Sequence, residues 1–179
     1  MTPREVLDFW FDPANQPFWF KKSAAFDEAV RHRLGDAHAA AAAGRLDDWR
    51  ATPEGALALV ILLDQVPRNI HRGTARAFAT DDAALAVAAA AIDDGFGRGL
   101  DKDQRLFLYL PLEHSEKLAD QERSVALFTE LGDARLTDYA VRHRDIVARF
   151  GRFPHRNALL GRASTEEEIS FLEGPNSSF

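Results

Sequence analysis

The 179-residue chain has no cysteine. That excludes a disulfide framework, a thiolate metal site and a cysteine nucleophile together. It has no glycine-rich phosphate loop, no G-x-S-x-G elbow and no H-E-x-x-H pair, so the motif-borne forms of nucleotide, serine-hydrolase and zinc chemistry have no sequence support. No segment sustains strand alternation between hairpin turns. The longest apolar run, Ala56 to Leu63, is far too short to cross a bilayer, so no membrane is expected. The opening Met1-Thr-Pro-Arg-Glu5 carries charge and helix-start chemistry in place of an apolar signal core, and a cytoplasmic location is the simplest expectation. A formal net charge of -6 lacks the basic footprint of a general nucleic-acid binder, and no nucleic-acid partner is expected.

Helix signals are present throughout. Thr2-Pro3-Arg4-Glu5 is a capping box with proline at the first helical position, predicting a helix through Trp10. Ser23 can cap a long alanine-rich helix ending at Gly44, and Thr52-Pro53-Glu54 starts another. That helix is apolar nearly all round from Leu57 to Leu63, which predicts a central position, and Pro67 predicts its end at Val66. Further helices are expected from Thr80 or Asp81 to Gly95 and from Asp101 to Leu118, the latter kinked or restarted at Pro111. Others are expected from Asp120 or Gln121 to Leu131, along the helical spacing Leu136 to Phe150, and after Ser164-Thr165 through Leu172. The expectation is one all-α domain over 1–179, a stack of antiparallel helices with a loose tail over 174–179.

Two stretches echo each other: Leu63-Asp-Gln-Val-Pro-Arg-Asn69 and Phe150-Gly-Arg-Phe-Pro-His-Arg-Asn157. Each passes through a proline and closes on Arg-Asn. An arginine fork matches carboxylate or phosphate, an adjacent asparagine adds a donor and an acceptor, and the proline pre-orders the backbone. Arg68, Asn69, Arg156 and Asn157 are therefore candidate ligand-binding residues, set against the plainer reading that they clasp helix ends. Asp64 is poorly placed at a helix C-terminus unless Arg68 pairs with it. His114 and His143 fall on apolar stripes, where a hydrogen-bonded core histidine is the commoner reading. On a continuous helix His114 and Glu116 point apart, and they converge only if Pro111 breaks it; Glu113 and Lys117 read as a surface pair. Phe9-Trp10-Phe11 and Phe18-Trp19-Phe20 read first as core.

The two echoing stretches, Pro111-Leu-Glu-His-Ser-Glu116 and Phe9-Trp10-Phe11 together resemble the bacterial family called domain of unknown function 924, over nearly the whole chain. The resemblance implies an all-helical fold like the tetratricopeptide-repeat proteins, a right-handed α-solenoid, and no assigned activity.

Three functions compete. One is a binding module whose cleft, from Arg68, Asn69, His114, Arg156 and Asn157, holds a small anion or an acidic or C-terminal peptide carboxylate. Another is a hydrolase or isomerase of an anionic substrate, with His114 or His155 as acid-base and Glu116 as partner. The third is a structural or homo-oligomeric protein. The binding module is favoured, with no cofactor and no metal expected.

Overall fold

A computed structural model of the chain describes every residue except Asn176 and Phe179, on which part of the tail expectation falls. Within that tail Ser177 is buried, its hydroxyl donating to the Leu172 carbonyl. Among the described residues there is no strand: the protein is all-α. The chain divides into two compact units, Met1–Arg72 with Arg76–Pro111, and Leu112–Phe179 with Gly73–Ala75.

In the first unit, α1 (Pro3–Trp10) starts at the expected capping box, the Thr2 hydroxyl accepting from the Glu5 amide while the Glu5 carboxylate accepts from the Thr2 amide. The long helix α2 (Ala24–Ala42) follows its Ser23 cap. Trp10, Phe11, Trp19 and Phe20 all pack on Phe107, with Trp10 edge-on at 5.5 Å between centroids. Of the two triplets only Trp10 is buried outright; Phe9, Phe11 and Trp19 are half-buried around it, and Phe18 and Phe20 remain 38% and 63% exposed at the margin.

The centre of this unit is α3 (Pro53–Val60), every residue of which is buried from Gly55 onward. It does not stop at Val66. The helix passes through a π turn, Ile61–Gln65, into α4 (Val66–Ile70), with the Val66 amide donating five residues back to Ile61. In a regular α-helix the Pro67 ring would crowd the Leu63 carbonyl and supply no N–H to it; a wider turn relieves that clash. The carbonyls around the turn are satisfied from the side. Leu62 O lies 2.8 Å from His38 Nδ1, Leu63 O accepts from the Thr80 hydroxyl, and Asp64 O accepts from Arg68 at 2.7 Å. The Thr80 hydroxyl is thus turned to Leu63, not to the amides of α5 (Asp81–Asp93).

The helix α6 (Lys102–Glu113) carries Pro111 inside it and ends at Glu113, five residues short of the sequence expectation. The freed end is capped from α7 (Leu118–Glu130): buried Gln121 donates through Nε2 to the carbonyls of Glu113 and Ser115, both at 2.6 Å. In the second unit α7 packs on α8 (Ala134–Phe150). Gly151, at φ +68°, ends α8 in the left-handed region that glycine enters without steric cost. Ile146, Val147 and Phe153 form the core there, with Phe150 and Phe171 against it, the latter from α9 (Glu166–Leu172).

Candidate functional site

The two Arg-Asn corners fall in different units. At the first, the Arg68 fork is occupied. Nη1 and Nη2 reach the two oxygens of Asp81 at 2.8 and 3.0 Å, and Nη1 lies 3.2 Å from Asp64 Oδ1. Asp64 is fully buried, so the pairing expected from its position at the helix end is present. Asp81 opens α5, where a carboxylate also suits the helix dipole. Asn69 is likewise committed, its Nδ2 donating to Asp27 at 2.8 Å while Arg72 grips Asp27 with Nε and Nη2. Burial acts to raise the Asp27 pKa, but the bonds from Arg72 and Asn69 outweigh it and hold the carboxylate below its usual range. An incoming anion at this corner would have to displace carboxylates.

The second corner is built differently. Arg156 is buried, 7% exposed, with its guanidinium carbon 4.6 Å from the Phe153 ring centroid. The sequence position beyond a helix end favours a solvent-facing side chain; Phe153 draws this one inward instead. The organising cation is Arg162. Gly161 at φ +65° turns the chain back, and Arg162 then donates to Asn157 Oδ1 at 3.0 Å, to Glu116 with both terminal nitrogens at 2.6 and 2.9 Å, and to the Phe153 carbonyl. Asn157, 1% exposed, passes its own Nδ2 to Ser164.

Because α6 stops at Glu113, His114 and Glu116 lie outside the helix, and His114 is half-buried instead of lining an apolar stripe. Glu116 accepts from the Phe153 amide at 2.8 Å as well as from Arg162. Burial pushes its pKa up, while the bonds from Arg162 and Phe153 pull harder in the opposite direction and keep it ionised. Glu113 is not part of a surface pair with Lys117: it is 5% exposed, with Oε1 3.5 Å from His143 Nδ1. His143 is the hydrogen-bonded core histidine of the sequence reading, its Nδ1 2.8 Å from the Tyr139 carbonyl. Burial lowers its pKa to about 3. Half-buried His155 falls to about 4, through burial first and then the charge of Arg156, with His114 and Arg162 acting in the same direction against Glu116.

Arg162, Arg152 and Gln121 carry much of this geometry without having been singled out as site residues. Arg152 holds buried Glu168 through Nε and Nη2 at 2.6 and 2.7 Å, and that bond lowers the Glu168 pKa to about 2. In the sequence Arg162 is one of six arginines between positions 142 and 162, and its partner lies 46 residues earlier, beyond any local pattern. Among the described residues no group of three or more His, Cys, Asp or Glu side chains could hold a metal ion, and no helix is long and apolar enough to cross a membrane.

The model of the family described as "Bacterial protein of unknown function (DUF924)" matches residues 6–176. The chain belongs to this family. A solved structure of a protein of unknown function from Agrobacterium tumefaciens is 46% identical, covers 96% of this chain and 97% of its own, and superposes with a TM-score of 0.91. No curated protein matches. The family carries no assigned activity, so a functional reading rests on the corners themselves.

Proposed function

We propose that this family member is a binding module for a small anion or a peptide carboxylate, and that its second corner supplies the site. The observation carrying the proposal is the gathering of basic side chains at one corner, where Arg156, Arg162 and His114 all act on His155 and Glu116 opposes them. Burial is the first cause of the low His155 pKa and favours neither sign of charge; the positive charges beside it are what favour an anion. His114 and His155 are each partly exposed, so an anion can approach them, with buried Arg156 adding its charge and Arg162 held by Glu116 beside them. The binding reading is preferred over acid-base catalysis because both oxygens of Glu116 are engaged by Arg162 and the Phe153 amide. A carboxylate held ionised in that way is poorly suited to carry a proton.

The test is calorimetric titration with succinate and with a short peptide bearing either a free or an amidated C-terminus. Succinate and the free peptide should bind, the amidated peptide should not, and His114→Gln with His155→Gln should weaken binding about tenfold or more. Affinity should rise between pH 7.5 and 5.5, since a bound anion raises the His155 pKa and binding takes up a proton. Equal binding of free and amidated peptides, or affinity untouched by the double variant, would sink the reading.

A further inference from the structure

We infer that the first unit carries a separate site for a small organic phosphate, in the cavity of about 460 Å³ between α2 and the end of α4. Gly35, Ala39 and Ala42 of α2 line one side of it, and His38, His71 and Arg76 also line it.

That side is open because of what α2 lacks. Gly35 sits in the middle of an alanine-rich helix, where glycine is the weaker helix former and where no left-handed backbone calls for it. A Cβ built at Gly35 meets nothing within 4 Å, so close packing does not explain the residue either. The glycine's effect is to leave room. With Ala39 and Ala42 one and two turns onward, it makes a shallow apolar trough suited to an organic substituent.

The polar wall sets the ligand class. His38 Nδ1 is committed to the Leu62 carbonyl of the π turn at 2.8 Å, which makes Nδ1 the donor and orients the ring. Nε2 is then the nitrogen left for a ligand, and in the neutral ring it accepts. The His71 ring lies 6.0 Å from His38, centroid to centroid, and Arg76 supplies a fixed positive charge. Burial and the Arg76 charge both disfavour protonation of His38 and His71, so the His38 Nε2 acceptor stands in a cavity that a cation also lines. A carboxylate would satisfy Arg76 but offers no hydrogen to His38. A phosphate monoester monoanion offers both, with charged oxygens for Arg76 and a P–OH for His38 Nε2. The cavity exceeds what inorganic phosphate needs and falls within the range of small-molecule pockets.

This site shares no residue with the His155 corner, so either reading can fail alone. The test is calorimetry of the full chain with glycerol 2-phosphate, inorganic phosphate, succinate and zinc ion, counting only the binding lost in Gly35→Leu. That variant adds a side chain in open space on an intact helix, so its melting temperature should not fall. It should remove the glycerol 2-phosphate binding at this site, and Arg76→Gln should weaken that component at least tenfold. Inorganic phosphate should bind more weakly at the same place, and succinate and zinc should show no Gly35-dependent binding. Glycerol 2-phosphate binding with no component lost in Gly35→Leu, or no such binding at all, would overturn the proposal. So would succinate or zinc binding as tightly in the Gly35-dependent component.

Discussion

At Val66–Asn69 the arginine meets carboxylates: Arg68 is forked onto Asp81 and braced against Asp64, and Asn69 shares Asp27 with Arg72. At Phe153–Asn157 the arginine lies over a phenylalanine ring with His143 and His155 inside its field, and a different residue, Arg162, holds the carboxylate. The task that Arg68 performs in the first unit therefore belongs, in the second, to an arginine six positions beyond the echoed Arg156. A four- or five-residue pattern fixes backbone direction and donor chemistry; the partner that decides the role arrives from elsewhere in the chain, 13 residues away for Arg68 and 46 for Arg162.

The largest effect should come from the first corner. Arg68→Ala leaves Asp64 fully buried without its cation and removes the bond to the Asp64 carbonyl at the π turn. Breaking a buried pair from one side costs roughly 3–5 kcal/mol, or about 6–20 °C in melting temperature for a chain of this size. A loss under about 1 kcal/mol in urea unfolding would show that Asp64 finds another partner and that the first corner is no clasp.

Acid should separate the two units next. His143 and His155 have folded pKa values of about 3 and about 4 against an ordinary 6.5, so the unfolded chain binds their protons more readily. Their stabilisation is complete above pH 6.5 and is lost as pH falls toward 4, at roughly 1–2 kcal/mol each by pH 5. Glu168, lowered from 4.5 to about 2 by Arg152, adds a second loss below pH 4.5 in the same direction. Hydrogen exchange at pH 7.5 and 5.0, corrected for intrinsic rates, should show α8 opening more at low pH while α3 changes less. Uniform acid opening of α3 and α8 would mean that His38 and His71, also shifted down, weigh as much in the first unit.

What the sequence disclosed follows from range. The caps at Thr2, Ser23, Thr52 and Thr165 are local hydrogen bonds, and each appears where the residue pattern places it. The buried centre at Leu57–Leu63 follows from an apolar surface on all sides of one helix. Pro67 misled because the rule against a helical residue before proline assumes α geometry, and a π turn evades it with help from His38, Thr80 and Arg68. The site residues were legible as types and not as roles. Arg156 is placed by its position beyond Gly151 to face solvent, yet it is buried, as is Asn157, because Phe153 and Arg162 draw them in through contacts that no periodicity encodes.

The smallest effect should fall on Arg149, which tests whether exposure or mere position beside the second corner gives an arginine its weight. Its Nη2 lies 2.8 Å from Glu167, but both side chains are more than half exposed, so the ion pair contributes at most about 1 kcal/mol and is screened by salt. The guanidinium also lies 4.7 Å from the Phe150 centroid and 5.8 Å from that of Phe171, contacts worth about 0.5–1 kcal/mol at an exposed site and much less sensitive to salt. Arg149→Ala should therefore cost about 1 kcal/mol, and roughly half of that should persist in 1 M sodium chloride. Glu167→Gln keeps the aromatic contacts and loses only the pair, so its cost should be smaller and should vanish in salt. If Arg149→Ala instead costs as much as Arg68→Ala, the contrast between a carboxylate-locked corner and an aromatic-seated one fails, and every arginine near either corner has to be counted as a clasp.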